Sequence, residues 1–368
     1  MLPVASNHIA ARSRGKEAHM HIISLDTHKH YSLGRVETGR GELVVEQRIE
    51  HCRGAIRRFL KRFDPGSPVA LETSGNYYWI VAEIEEAGMV PKLVNARKAK
   101  ARIAETNASD KITVRGLNML QHTNRLPTVW IPPHELRDVR ELTRTRMYFS
   151  QILTGLKCRT HSEFAKYGIS VEASDFFGPR IREALLDVMA TLPQHTLFAT
   201  REQLDFVDHI SEEVAHFQAR IMETFAGCRE TTILKSLPGV GPILSVVIYL
   251  EVGDVSRFRK AGALATYSGT TPRLAQSGNR RYLGPVRRDV NQYLKWAFVE
   301  AANVVCMNRK RWQDKYAVDQ YEHVRSRRNH GKAIVAVARH LAESTWWMLK
   351  KKELYRERGR IRNSSREA

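Results

Sequence analysis

Along the first third of the chain the spacing of apolar residues changes several times, and each change marks a new element. "HIISLD" (21–26) is a compact apolar run that closes on Asp26. "YSLGRVE" (31–37) and "ELVVEQRI" (42–49) follow, separated by the turn-like "TGRG", so three strands are expected in series. "CRGAIRRFLKRF" (52–63) places Ile56, Phe59, Leu60 and Phe63 on one face at helical spacing. "SPVALE" (67–72) reads as a short buried strand ending on Glu72. "NYYWIVAEIEEAG" is helical and closes on Gly88, a C-cap signal. "VPKLVN" makes a further strand, and "ARKAKARIAE" a basic helix that carries Lys98, Lys100 and Arg102. "DKITVRGLNMLQHTN" reads as another helix, weakened by Gly116.

The order βββαβαβα is that of a ribonuclease-H-like domain, a mixed sheet with helices against it. The acids fall at telling places. Asp26 closes the first strand, Glu72 closes the fourth, and Asp110 opens the last helix. Carboxylates at adjacent strand ends can converge on a hard cation, which takes oxygen ligands. Taken singly, Asp26 also suits a strand-end turn, Glu72 an N-cap partner, and Asp110 the cap of its own helix.

From about 134 to 226 the pattern becomes long-helical. In "LDFVDHISEEVAHFQARIMETF", Val207, Ile210, Val214, Phe217 and Ile221 alternate spacings of three and four, an a/d seam. Such a seam serves an intramolecular helix pair or a dimerisation stalk. "LKSLPGVGPILSVVIYLEVG" (234–253) is a different signal: a "PGVGP" hairpin between two helical pieces. Gly239 and Gly241 carry no side chain, so backbone N–H groups there can approach a phosphate without reading its base. An ordinary glycine-rich helix connection is the plainer reading.

Charge narrows the partners. Across 368 residues, 59 Lys+Arg against 39 Asp+Glu give a formal +20 and a pI near 10.0, a field that favours polyanions. The longest apolar runs, such as "ILSVVIYLEV", are too short to span a bilayer, so no membrane partner is expected. The first twenty residues lack the apolar core of a secretory signal and read as a flexible basic arm; the end, "KKKELYRERGRIRNSSREA", reads as a basic tail. Cys52, Cys158, Cys228 and Cys306 stand at least 70 residues apart, which leaves no zinc or redox pair and suggests small core residues.

A serine stands in a basic stretch. "TPRLAQSGNRRYLGPVRRD" (271–289) is a loop-like run in which Ser277 is surrounded by Arg273, Arg280, Arg281, Arg287 and Arg288. Tyr282, Tyr293 and Trp296 are interleaved, a mixture that suits nucleic acid better than a merely solvated face. No histidine lies nearby to act as a base, and Ser-Gly is also common turn chemistry.

Two blocks of the chain resemble transposases of bacterial insertion-sequence family 110, including its 1111 subgroup. "ISLD…ALETSGNYYWIVAEIEEAG…LVNARKAK…SDKITVRGL" is similar to the family's N-terminal RuvC-like domain with its acidic DEDD set. "LPGVGPILSVVIYLEVGDVSRFRKAGALATYSGTTPRLAQSGNRRYLG…RDVNQYLKWAFVEAA" is similar to its C-terminal transposase domain. The resemblance implies a basic arm (1–20), a RuvC-like domain (21–132), a helical or coiled-coil region (133–228), a mainly helical transposase domain (229–349) and a tail (350–368). It implies a DNA recombinase that uses Mg²⁺ (or Mn²⁺) and acts on element ends and target DNA. A structured guide RNA, a homodimer or tetramer formed through the helical region, and a cytoplasmic, nucleoid-associated setting go with it.

Carried over by position, Asp26, Glu72 and Asp110 match three of the family's acids, and Ser277 matches the serine proposed as nucleophile. The family's last two acids form D-x-x-D. Here the run is "DKIT", which puts Thr113 at the fourth position, a neutral and poor ligand. The expectation is a composite site in which the acids prepare a phosphate and Ser277 attacks it. Two alternatives stay open: a metal-dependent nuclease or resolvase that uses water, and a nucleic-acid binder whose catalytic site has decayed.

Overall fold

In β1 (Ile22–Thr27) the side chains alternate: Ile23 and Leu25 are fully buried in one apolar cluster, while the Ser24 hydroxyl turns the other way and donates to Val114 O at 2.8 Å. The computed structural model describes residues 20–103, 109–169, 177–178, 182–278, 280–287, 289–357 and 359, with the backbone alone at 182–184, 275, 281 and 283. The predicted arm lies outside these residues except for Met20, and the tail is described only as far as 357 and at 359. Contacts divide the chain into two units, Met1–Ile131 and Pro132–Ala368.

The first unit continues with β2 (Tyr31–Glu37), β3 (Leu43–Glu50), α1 (Ala55–Leu60), β4 (Pro68–Glu72), α2 (Tyr77–Glu86), β5 (Val90–Val94), α3 (Ala96–Ile103) and α4 (Asp110–His122). Its sheet runs β3-β2-β1-β4-β5, antiparallel across β1, β2 and β3 and parallel across β1, β4 and β5. One cluster joins Ile23, Leu25, Val69 and Leu71 to Ile56, Phe59, Ile80 and Ile84 of α1 and α2. A second joins Ala70 and Val94 to Ala99 of α3 and to Leu117 and Leu120 of α4. The sheet is therefore covered on both faces, as parallel strands require.

Period two then decides where the acids go. Asp26 follows Ser24, and Glu72 follows Ala70, so both turn towards the face that carries α3 and α4. Helix α4 is bound to β1 by Gln121 Nε2, which donates to Ile23 O at 2.7 Å, and by Asn118 Nδ2, which donates to Ile22 O at 3.4 Å. Gly116, the weak point of the helical pattern, permits close packing: a Cβ there would lie 2.6 Å from Ile103 Cδ1.

The second unit opens with α5 (His134–Lys166), α6 (Arg182–Met189) and α7 (Gln194–Thr224). The α7 seam packs on α5 of the same chain. Phe217 meets Phe149 edge-on at 5.5 Å, and Ile221 lies in a cluster with Leu136, Val139 and Leu142. Next come α8 (Arg229–Leu234), α9 (Pro242–Val252), α10 (Ala261–Tyr267), β6 (Pro272–Ser277), β7 (Arg280–Val286), α11 (Gln292–Met307), α12 (Tyr316–Arg327) and α13 (His330–Lys351). Their core is helical, built around Ile248, Phe298, Ala301, Val337 and Leu341.

Two expectations are corrected. The loop-like run around Ser277 is an antiparallel β-hairpin, β6 paired with β7, with Gly278 in the left-handed conformation where β6 ends. Of the cysteines only Cys306 is buried, whereas Cys52 and Cys158 are exposed. Among the described residues no helix is long and apolar enough to cross a membrane.

Candidate functional site

The N-terminus of α4 lies over the end of β1, and this brings Asp110 to Asp26. The residue that joins them is His28. Its Nε2 stands 3.1 Å from Asp110 Oδ2 and 3.7 Å from Asp26 Oδ2. One ligand atom from each of Asp26, His28 and Asp110 lies within 4.8 Å of the other two, and Glu72 is outside that group. Ser109, not Asp110, caps α4, since its side chain accepts from Ile112 N at 3.4 Å; the Asp110 carboxylate is left for the site. Tyr31 from β2 donates its hydroxyl to Asp110 Oδ2 at 3.0 Å, and the Arg48 guanidinium sits 3.7 Å above the Tyr31 ring.

The electrostatics favour a cation. Burial raises the Asp26 carboxyl above its ordinary value; His28 opposes this and Asp110 adds to it. Burial likewise raises Glu72, with Asp26 adding and Lys100 of α3 opposing. Acids that repel one another and resist ionisation would be relieved by a divalent ion. His28 Nε2 is itself buried and has no hydrogen-bond partner among the described residues, despite the nearby carboxylates. Two carboxylates, an unsatisfied imidazole nitrogen and Glu72 beside them form a donor set that fits a divalent metal. Thr113 lies one turn along α4 from Asp110 and is half-buried. The sequence reading missed His28 and Tyr31, although both stand in "DTHKHY" directly after the first acid.

Ser277 belongs to a different setting. It ends β6, pairs with Arg280 at the start of β7, and is exposed. Gly278 has φ +54°, the left-handed conformation that this tight connection requires. Ala275 pairs with Tyr282, so the pleat puts Tyr282 on the same face as Ser277 and Arg280. Tyr282 is 69% exposed and Leu274 53%, an unusual display for an aromatic and an aliphatic residue of this size. Arg273 and Arg280 are exposed on the hairpin as well. Arg287 is held by Asp289 through a two-pronged contact of 3.1 and 2.6 Å. Arg281 is described by its backbone alone, and Arg288 lies outside the described residues.

The root of this hairpin is rigid. Asn291, the N-cap of α11, donates to Glu251 Oε2 at 2.8 Å, and its own N–H donates to Tyr267 O at 2.9 Å. Glu251 is fully buried at the end of α9 and accepts from Arg144 through two contacts of 2.8 and 3.1 Å. Arg140 donates to Leu250 O beside it at 2.9 and 2.8 Å.

The α8–α9 hairpin divides its two glycines. Gly239 has φ +79°, and a Cβ there would stand 2.1 Å from Ala301 O, so this glycine is explained by packing on α11. Gly241, the N-cap of α9, would place a Cβ in open space. A cavity of about 670 Å³ lies beside the hairpin, with Lys235, Trp312, Lys315 and Tyr355 among its walls. Lys98, Lys100 and Arg102 are exposed on α3, where Arg102 reaches Arg125 O.

Comparison with known proteins gives one family match: residues 231–317 fit the model of the Transposase IS116/IS110/IS902 family. A protein of insertion element IS116 from Streptomyces clavuligerus is 31% identical over 148 residues, 40% of this chain and 36% of that protein. The transposase for insertion sequence element IS1111A of Coxiella burnetii is 26% identical over 145 residues, 39% of this chain and 40% of that protein. Those matches therefore span well under half of each relative's own length. The y4pF/y4sB protein of Sinorhizobium fredii is 22% identical over 364 residues, 94% of this chain and 88% of its own.

Proposed function

We propose, on the premise that residues 231–317 form a transposase domain of the IS116/IS110/IS902 family, that the chain is an insertion-sequence transposase that cuts and rejoins DNA strands. The observation that carries this reading is the convergence of Asp26 and Asp110 on one end of a mixed sheet, beside Glu72. The sheet order β3-β2-β1-β4-β5, with β2 alone antiparallel to the other strands, supports a RuvC-like reading of this unit.

Asp26, Glu72 and Asp110 would hold a divalent ion, Mg²⁺ or Mn²⁺, whose charge offsets that of a scissile phosphate. Ser277 is the nucleophile. Its hydroxyl oxygen forms a bond to phosphorus, the P–O3′ bond breaks, and a free 3′-OH leaves. The serine proton leaves to water, and the departing 3′ oxygen takes one up in turn. The 5′-phosphate is then held as a phosphoserine ester, and attack by the 3′-OH of a partner strand releases Ser277 and joins the new strand. No outside energy source is needed, because one phosphodiester is exchanged for another. Arg273 and Arg280 bind phosphate oxygens on the exposed hairpin, and Tyr282 offers a stacking surface. A guide RNA and a dimer or tetramer belong to this proposal through the family resemblance alone.

One observation favours a second reading. Ser277-Gly278 lies where β6 ends, and serine and glycine are ordinary residues at such a place. A nuclease that uses water would not need Ser277. The two readings separate in cells that carry the gene between its element ends, by amplification across joined circle junctions. The proposal expects junctions from the native chain and none from Asp26→Asn or Ser277→Ala. Junctions that persist in Ser277→Ala would leave only the metal-and-water reading.

A further inference from the structure

The position of Thr113 leaves the acid site one charged ligand short, and the structure puts a nitrogen donor where it can compensate. We propose that His28 completes the donor set in place of a fourth carboxylate and makes the site select a first-row transition ion over Mg²⁺. The inference rests on the reading of Asp26, Glu72 and Asp110 as metal ligands.

His28 is held at its ring and at its backbone carbonyl. Its ring stacks on Tyr31 with centroids 4.6 Å apart and planes 27° from parallel, and the Tyr31 hydroxyl is bound to Asp110. Its carbonyl accepts from Asn76 Nδ2 at 3.0 Å. Asn76 Oδ1 accepts from the Ser74 hydroxyl at 2.7 Å, and that hydroxyl lies 3.1 Å from Thr27 Oγ1. The segment after β4 thus fixes the backbone that carries His28. Outer contacts of this kind orient the imidazole of a metal site.

Nε2 then sits between Asp26 and Asp110 with its surface buried and no hydrogen bond made. A ring nitrogen enclosed beside two carboxylates, making no hydrogen bond, is placed as a ligand would be. Mg²⁺ favours octahedral oxygen and gives up water reluctantly, whereas an imidazole ligand suits transition ions. Replacing a carboxylate by a neutral nitrogen also lowers the negative charge of the set, which weakens Mg²⁺ further. Mn²⁺ has the lowest affinity for such sites in its row, so a site that prefers Mn²⁺ to Mg²⁺ would take the later ions too.

The test uses the full chain, stripped of metal, with Mn²⁺ as the probe. Electron paramagnetic resonance titration measures its binding, and pulsed spectra read coupling to a histidine nitrogen. The expected result is a bound Mn²⁺ with nitrogen coupling that is lost in His28→Ala and His28→Asn but kept in His30→Ala. Both His28 variants should weaken Mn²⁺ binding by about tenfold or more, with circular dichroism confirming that each folds. Mg²⁺ in excess should displace Mn²⁺ poorly from the native chain. Nitrogen coupling that persists in both His28 variants overturns the proposal. So does Mn²⁺ bound without nitrogen coupling and lost in Asp26→Asn, an outcome that keeps the acids as ligands. Binding indifferent to Asp26→Asn would remove His28 and the acid site together.

Discussion

At the end of β1, Asp26 is half-buried, with His28 Nε2 3.7 Å away and Asp110 3.1 Å from the same nitrogen, itself bound by Tyr31. At the end of β6, Ser277 is exposed opposite Arg280, and a left-handed glycine turns the chain beside it. Both are strand ends that carry a candidate catalytic residue. The first is packed from several elements, and its repulsion is built in before any ligand arrives. The second has a rigid root around Glu251 and Asn291 and a tip that the fold leaves open. The difference suggests two kinds of task. A cation site must be preorganised, because its charges have to be held together against their own repulsion. A hairpin that meets nucleic acid can leave its tip to be ordered by the substrate.

Five substitutions would break or sharpen this contrast. The largest effect is expected at the root of the hairpin. Glu251→Leu strands Arg144 and the Arg140 pair in a buried setting, and denaturant unfolding should show a loss of about 3–5 kcal/mol. Asp26→Asn should lower strand cutting by about 10²–10³-fold in a labelled-DNA assay. Without metal its melting temperature should not fall. The folded state raises the Asp26 pKa, so the ionised carboxylate costs stability as pH rises through that range, and the amide removes the cost.

Gly239→Ala should cost about 1–3 kcal/mol in the same unfolding measurement, because a Cβ at φ +79° meets Ala301 O. Gly241→Ala is its control: it should leave stability unchanged, and weaker DNA binding in that variant would mark the α9 N-terminus as a phosphate contact. The smallest effect belongs to the tip. Arg280→Ala should stay within about 0.5 kcal/mol of native stability. It should also reduce the slope of log binding constant against log salt by about one unit.

Much of the first unit was legible because its strands are short, apolar and alternate, so period two placed Asp26 and Glu72 as well as the strands themselves. What escaped depended on contacts between elements far apart in sequence. Gly116 and Gly239 look like interruptions until Ile103 and the α11 backbone are seen against them. His28 has no spacing signature of its own; its position follows from the stack on Tyr31 and the docking of α4. The β6–β7 hairpin leaves Leu274 and Tyr282 exposed, so no apolar alternation marks its strands along the chain, and Ser277-Gly278 is their one local signal. Glu251 sits in an apolar helix and gives no sign, along the chain, of the two arginines that it holds.

The most direct measurement is a search for the covalent bond between Ser277 and DNA. The native chain, given Mn²⁺ and 5′-labelled strands bearing the element ends, would be denatured, digested and examined by mass spectrometry. The account predicts a nucleotide attached through phosphate to the peptide containing Ser277, absent from Ser277→Ala and Asp26→Asn. Cut strands with free 5′-phosphates and no such peptide would contradict it.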